Sequence, residues 1–131
     1  MTCPEEAGDL DAALARARVL IVDDEPGMRN FLGKVLAGKV AHLAGAGSTQ
    51  EASRLLDAEQ FDIVILDNLM PGGKGLDWLS DQRRRGFFAD VILITAYADV
   101  ETAITALRAG VSDFVLKPFR ANQILGALAR T

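Results

Sequence analysis

Residues 61–75 read Phe-Asp-Ile-Val-Ile-Leu-Asp-Asn-Leu-Met-Pro-Gly-Gly-Lys-Gly, and this stretch decides the fold. Its apolar run from Ile63 to Leu66 has no polar alternation, which is typical of a strand buried on both faces of a parallel sheet. The run ends on one carboxylate, Asp67, and Pro71 and its neighbouring glycines then interrupt regular structure. Open α/β sheets bind their ligands at the carboxyl ends of such strands, so Asp67 is predicted to be the residue that is chemically modified.

Length and composition predict one globular domain. The chain has 131 residues, of which 50% are hydrophobic and 24% are charged, enough to bury a core. A net charge of −4 makes nucleic acid and anionic membranes poor direct partners. Cys3 is the only cysteine, and no apolar run approaches the roughly 20 residues of a membrane span. The N-terminus is acidic where a signal peptide would be basic, so a cytoplasmic protein is expected.

Four further apolar runs alternate with helical patterns of i, i+3, i+4 apolar spacing. Five strands and five helices in alternation predict an α/β fold of the (βα)5 type, a doubly wound parallel sheet with helices on both faces. Residues 1–17 are predicted to be a partly disordered lead-in, and residues 18–131 to form the domain. The predicted strands besides 63–66 are 19–22, 40–44, 91–94 and 114–116, with a turn over 45–48 after the second.

Some features imitate other sites. Gly45-x-Gly47-x-x-Gln50 has the outline of a dinucleotide-binding fingerprint, but it lacks the third glycine and follows the second strand, so nucleotide binding is disfavoured. His42 is the only histidine and is predicted to be structural. The run of arginines over 83–85 is predicted to end a helix and to stay solvated.

Polar side chains end the predicted strands, and parallel strands bring these ends to one edge of the sheet. Carboxylates about 5 Å apart repel each other by roughly 3 kcal/mol a pair at an effective dielectric of about 20. A hard divalent cation, Mg²⁺ or Mn²⁺, is therefore expected among them. The residues at this edge are Asp23 and Asp24 after the first strand, Asp67 on the third, Thr95 on the fourth and Lys117 after the fifth.

Four motifs, in order, resemble the signatures of the receiver domains of two-component response regulators, of the chemotaxis-regulator type. The resemblance covers about Arg18 to Arg130, and residues 93–103 are most similar to receivers of nitrogen-regulation-type transcriptional activators. It implies a flavodoxin-like sheet with strand order 2-1-3-4-5. The motifs are Val-Leu-Ile-Val-Asp-Asp-Glu-Pro (19–26), Ile-Val-Ile-Leu-Asp-Asn-Leu-Met-Pro-Gly-Gly-Lys-Gly (63–75), Val-Ile-Leu-Ile-Thr-Ala-Tyr (91–97) and Ala-Gly-Val-Ser-Asp-Phe-Val-Leu-Lys-Pro-Phe (109–119).

The resemblance also implies roles for residues at matching positions. The bond between Lys117 and Pro118 is expected to be cis, as it is in the family. The roles are Asp67 as phosphoacceptor, Asp23, Asp24, Asp67 and the backbone carbonyl of Leu69 as metal ligands, Thr95 as switch hydroxyl, Phe114 as switch aromatic and Lys117 as the amine that contacts the phosphoryl group.

The partners are implied in the same way. A sensor histidine kinase would supply the phosphoryl group, and the domain would assist its own phosphorylation and dephosphorylation without turning over an external substrate. The surface of the fourth helix, fifth strand and fifth helix would then switch to bind a partner or a second copy of the chain. The receiver would either stand alone or precede an effector domain beyond Thr131, and the resemblance to transcriptional activators favours the effector domain, with transcription as its output.

Two positions bear on the lifetime of the modified state, and two other functions compete. Leu69 cannot orient an attacking water and Tyr97 would shield the phosphoryl group, so a long-lived phospho-form is expected. A Mg²⁺-dependent phosphatase with an aspartyl-phosphate intermediate would carry a second acid at the position of Leu69. A pseudo-receiver, a purely structural interaction module, would have lost one of the key residues, all of which are present here.

Overall fold

The structure is a computed structural model that describes residues 12–70, 73–96 and 100–130. Its sheet has five strands: β1 Arg18–Val22, β2 His42–Ala46, β3 Ile63–Asp67, β4 Asp90–Thr95 and β5 Asp113–Leu116. All are parallel and lie in the order β2-β1-β3-β4-β5. The flavodoxin-like sheet and its strand order are therefore confirmed. A separate two-stranded hairpin pairs Leu69–Met70 with Gly73–Lys74.

Five helices follow the strands and cover both faces of the sheet. One hydrophobic cluster includes side chains of α1 and α5, and the other includes side chains of α2, α3 and α4. A further short helical stretch, residues 12–15, precedes β1. The helices are α1 Pro26–Leu36, α2 Thr49–Ala58, α3 Gly75–Arg84, α4 Val100–Arg108 and α5 Ala121–Arg130.

Strand β3 is buried from both sides, which explains its unbroken apolar run. Ile63 and Ile65 belong to the cluster under α1 and α5, whereas Val64 and Leu66 belong to the cluster under α2, α3 and α4. Burying an aliphatic side chain of this size stabilises the fold by about 1.5–3 kcal/mol. Because β3 is held between two layers, its last residue, Asp67, is fixed at the carboxyl edge of the sheet.

Local chemistry explains where several helices begin and end. Pro26 is the first residue of α1, a position where its missing N–H leaves no hydrogen bond unmade. Ser48 is the N-cap of α2: its Oγ accepts from the N–H of Glu51 at 3.1 Å, and Glu51 Oε2 accepts from the N–H of Gly47 at 3.1 Å. This pair differs from a capping box in that the glutamate side chain accepts from the N–H of the residue before the N-cap and not from that of the N-cap itself. Gly110, at φ +76°, follows the end of α4.

Strand β2 differs from the sequence-based expectation, and the segment before β1 adds a contact that the sequence did not predict. Strand β2 begins two residues later than predicted and includes Gly45 and Ala46, which had been assigned to a turn. Those two residues pair with Ile21 and Val22 of β1, so strand pairing overrides the local turn preference of glycine. In the lead-in, Ala17 is buried and its carbonyl accepts from the N–H of Ala41 at 2.9 Å, which ties this segment to the start of β2.

Candidate metal centre at the carboxyl edge of the sheet

Three acids from two neighbouring strands meet at the carboxyl edge. Asp23 and Asp24 directly follow β1, and Asp67 is the last residue of β3, which pairs with β1. Each contributes a carboxylate oxygen, and these oxygens lie within 4.8 Å of one another. Asp23 and Asp67 are buried, whereas Asp24 is partly exposed. The structure thus brings together the three acids that the sequence predicted as a metal site.

The carboxyl group of Asp23 is buried and only partly hydrogen-bonded within the described residues. Its residue is 1% exposed, and its Oδ1 accepts from the N–H of Glu25 at 2.9 Å. Its Oδ2 is buried and has no hydrogen-bond partner within the described residues. Burial raises the pKa of Asp23 from 3.8 to about 6, with the charge of Asp67 adding to the effect and the N–H of Glu25 and the charge of Lys117 opposing it. The site therefore favours a bound cation or a proton.

Lys117 places a positive charge beside Asp67. Its Nζ lies 3.5 Å from Asp67 Oδ1, and its side chain is largely buried. Its backbone N–H donates to the carbonyl of Thr95 at 2.9 Å, which holds the lysine beside the end of β4. The peptide bond to Pro118 is cis, as predicted. One ammonium group is still outnumbered by three carboxylates, so the charge of the cluster stays negative without a further cation.

Of the two residues predicted to form a switch, Thr95 lies on the strand next to Asp67, and Phe114 lies one strand further away. Thr95 is fully buried at the end of β4, the strand that pairs with β3 beyond Asp67. Phe114 is half-buried in β5, opposite Leu93, and packs against the cluster under α2, α3 and α4. The hydroxyl and the aromatic ring therefore lie on successive strands, β4 and β5, and only β4 is adjacent to the strand of Asp67.

Asn68 and Gly75 close the loop after Asp67, although the sequence patterns assigned neither residue a role. The carbonyl of Asn68 accepts from the N–H of Gly75 at 3.1 Å, and its side-chain oxygen accepts from the N–H of Leu76 at 3.4 Å. A Cβ at Gly75 would lie 2.5 Å from the carbonyl oxygen of Asp67, so only glycine fits. The signal was a glycine directly before an apolar helix pattern.

The hairpin between Asn68 and Gly75 contains Leu69, whose backbone carbonyl was predicted to be a metal ligand. Leu69 pairs with Lys74, which folds the chain back beside Asp67. Tyr97, the other residue predicted to affect the phospho-form, lies outside the described residues.

The donor set fits a hard divalent ion. Buried carboxylates, one with an oxygen that lacks a partner, and a nearby backbone segment are the oxygen ligands that Mg²⁺ takes in proteins. His42 lies away from this edge. Its Nε2 is 2.8 Å from Glu59 Oε1, a contact that is a hydrogen bond only when Nε2 carries the proton. The histidine is thus part of the fold and not of the metal site.

Comparison with known proteins agrees with this geometry. Residues 19–129 match the family described as response regulator receiver domain. The chain therefore belongs to the receiver domains of two-component response regulators, a family of signalling domains. It is 40% identical over 105 residues to response regulator protein PilR of Pseudomonas aeruginosa, a match that covers 80% of this chain and 24% of PilR.

Two other similarities extend the comparison. The chain is 31% identical over 115 residues to the alginate biosynthesis transcriptional regulatory protein AlgB of Pseudomonas putida, covering 88% of this chain and 26% of AlgB. Among solved structures, Vibrio cholerae chemotaxis protein CheY4 superposes with a TM-score of 0.81 at 27% identity, covering 88% of this chain and 98% of CheY4. The chain spans about a quarter of the length of PilR and AlgB. In the described part of the chain, no helix is long and apolar enough to cross a membrane.

Proposed function

We propose that Asp67 accepts a phosphoryl group from a phosphohistidine of a sensor histidine kinase. A carboxylate oxygen of Asp67 attacks phosphorus, the P–N bond to the histidine breaks, and its electron pair returns to the imidazole nitrogen. The observation that carries this proposal is the convergence of Asp23, Asp24 and Lys117 around one buried carboxylate. A two-component receiver needs such a nucleophile, and this edge offers a buried carboxylate at the end of a strand fixed by both layers.

The chain's own residues position the reacting groups. Asp23, Asp24, Asp67 and the backbone carbonyl of Leu69 would hold Mg²⁺ (or Mn²⁺), which when bound neutralises charge on the transferring phosphoryl oxygens. Lys117 would contact a phosphoryl oxygen from the opposite side of Asp67, because its Nζ already lies 3.5 Å from Oδ1. The domain assists its own phosphorylation and dephosphorylation in this way and turns over no external substrate.

The proposed output is a change of surface. The hydroxyl of Thr95 would move to the phosphoryl group, and the ring of Phe114 would turn into the space that Thr95 leaves. This would reshape the surface of α4, β5 and α5, where Ile104, Leu107 and Leu116 are already exposed apolar side chains. That surface would bind a second copy of the chain or another partner. The similarity to AlgB, a transcriptional regulatory protein, supports transcription as the process controlled.

Residues 18–131 would form the receiver, residues 1–17 a lead-in, and an effector domain would follow Thr131. The greater length of PilR and AlgB supports the effector domain. The cytoplasm, where a sensor kinase presents its phosphohistidine, is the proposed location.

Replacing Asp67 by asparagine tests the phosphoacceptor. With a small-molecule phosphodonor and Mg²⁺, the unchanged protein should gain one acid-labile phosphoryl group, and Asp67→Asn should gain none, because an amide is not a nucleophile here. Asp77→Asn, an exposed acid on α3, is the matched control and should label normally. Full labelling of Asp67→Asn would refute the assignment, and absence of Mg²⁺ and beryllofluoride binding in calorimetry would favour a pseudo-receiver.

Replacing Leu69 by asparagine tests the expected long lifetime of the phospho-form. An amide at this position can orient the attacking water, whereas leucine cannot, so release of phosphate should be faster, by about ten-fold. Tyr97→Ala should act in the same direction by opening the site. The rate is read as loss of the acid-labile label over time, with Leu69→Ile as the apolar control. Unchanged or slower release from Leu69→Asn would contradict the proposal.

A further inference from the structure

Arg29 on α1 contacts the acidic cluster by a hydrogen bond to the backbone carbonyl of Asp23. Its Nη1 donates to the carbonyl oxygen of Asp23 at 2.6 Å, a short charge-assisted hydrogen bond. Its side chain lies over the end of β2, where a Cβ at Gly47 would come within 3.0 Å of Nη1. The glycine that imitated part of a nucleotide-binding fingerprint thus leaves room for a guanidinium group.

This hydrogen bond completes the immobilisation of Asp23. The N–H of Asp23 donates to the carbonyl of Ala46 at 3.0 Å, its carbonyl accepts from Arg29, and its Oδ1 accepts from the N–H of Glu25. The one polar atom of Asp23 that lacks a partner within the described residues is Oδ2. A residue held at every other polar atom presents this oxygen in one position.

We propose that Arg29 is a positioning residue for the metal-binding acids, and that Gly47 leaves room for it, because an added Cβ would lie 3.0 Å from Nη1 and make the guanidinium shift by a few tenths of an ångström. The inference rests on the proposed function, since it assumes that Asp23 binds Mg²⁺. The contact of Arg29 is with a carbonyl, so Arg29 acts by fixing the peptide of Asp23. Residues that orient metal ligands in this way typically change metal affinity by 10- to 100-fold when they are replaced.

The experiment is calorimetric titration of the metal-free protein with Mg²⁺. Arg29→Gln should raise the Kd by about ten-fold, because glutamine cannot reach the carbonyl of Asp23 with the same charge-assisted bond. Gly47→Ala should raise it by several-fold, and the double variant should bind no worse than Arg29→Gln alone, since both changes remove one interaction. Gly45→Ala is the matched control: its Cβ would lie 3.5 Å from Arg29 Cδ, an ordinary contact, and the Kd should be unchanged.

The outcomes separate this inference from the function on which it rests. If the unchanged protein binds Mg²⁺ and Arg29→Gln binds it within two-fold, the positioning role is overturned while the proposed function stands. If Gly45→Ala and Gly47→Ala weaken binding equally, the steric account is wrong. If the unchanged protein binds no Mg²⁺, both fail. Circular dichroism at the titration temperature identifies any variant that does not fold, and Gly47→Ala then decides the question without Arg29→Gln.

Discussion

The two edges of the sheet treat charged side chains in opposite ways. At the carboxyl edge, Asp23 and Asp67 are buried, and a carboxylate oxygen of one lies within 4.8 Å of a carboxylate oxygen of the other. The ammonium group of Lys117 lies beside Asp67. At the amino edge, the guanidinium groups of Arg18 and Arg83 and the carboxylate of Glu59 have partners. Glu59 Oε1 contacts both Arg18 and His42, at 3.1 and 2.8 Å.

Arg83 is the clearest case at the amino edge. The sequence predicted that it would be solvated, and this was wrong: the pKa of Arg83 is lowered by burial, and its guanidinium binds the ends of two segments. Packing against the loops before β4 and β5 supplies partners that no local pattern reveals. Its donors reach the carbonyl oxygens of Phe87, Ala89, Ala109 and Gly110, at 2.8 to 3.0 Å.

The two edges therefore differ in whether their polar groups have partners within the protein. Buried polar groups with partners stabilise a structure or cost it little, whereas a buried group without one costs free energy. Arg83 at the amino edge is of the first kind, and Asp23 Oδ2 at the carboxyl edge, which has no hydrogen-bond partner within the described residues, is of the second. His42 Nε2 at the amino edge is buried too, and it has a partner only when it carries the proton that Glu59 Oε1 can accept. Removing a charge should therefore destabilise the protein at one edge and stabilise the metal-free protein at the other.

The largest effect on stability is expected at Arg83. Arg83→Met keeps the length of the side chain but removes the hydrogen bonds to four carbonyls, so the free energy of unfolding should fall by about 3 kcal/mol. Urea denaturation measures it. Arg84→Met is the control, because Arg84 is mostly exposed and its ion pair with Asp81 lies on the surface, so the change should stay within about 0.5 kcal/mol. Equal losses from both variants would mean that the carbonyl contacts contribute nothing.

The next effect is expected at Asp23, and its sign depends on pH. Because the pKa of Asp23 is raised in the folded state to about 6 from 3.8, the folded state holds this proton more tightly than the unfolded state. Its contribution to stability is therefore present below pH 4 and is lost as pH rises to 6. Asp23→Asn cannot ionise, so it should be more stable than the unchanged metal-free protein by about 2 kcal/mol at pH 7.

The measurement is urea denaturation of both proteins in EDTA between pH 4 and pH 7. The stability difference should grow over this range and level off above pH 6, and Mg²⁺ should reverse its sign by stabilising the unchanged protein alone. A difference that does not vary with pH would break the contrast between the two edges.

The smallest effect is expected at Glu59. Its side chain and those of Arg18 and His42 are about one-third exposed or more, and ion pairs of this kind contribute less than about 1 kcal/mol. Glu59→Gln should lower the free energy of unfolding by that amount at low salt and by less in 1 M NaCl, because salt screens exposed pairs. A loss well above 1 kcal/mol that salt does not reduce would show that this cluster behaves as a buried network.

Much of the fold and the site could be predicted because the sequence concentrates the relevant signals. Strands β1, β3 and β4 carry unbroken apolar runs, and the acids after β1 and β3 and the threonine after the run of β4 are adjacent to those runs in the chain. Strand β2 was misplaced by two residues because its small residues, including Gly45, have little intrinsic strand preference, and its bounds depend on pairing with β1. The roles of Gly75 and Arg29 depend on their approach to the carbonyl oxygens of Asp67 and Asp23, which no local pattern of residues predicts.

The sequence by itself determined the layers, the order of elements along the chain and the identity of the acids, hydroxyl and amine at one edge. These follow from periodicity and from the residue that ends each strand, which are local properties. Only the tertiary structure decided that Asp23 Oδ2 has no partner within the described residues, that Arg29 donates to the carbonyl of Asp23, and that Arg83 is bound and not solvated. Those outcomes depend on distances between separate elements, and such distances arise only when the helices pack onto the sheet.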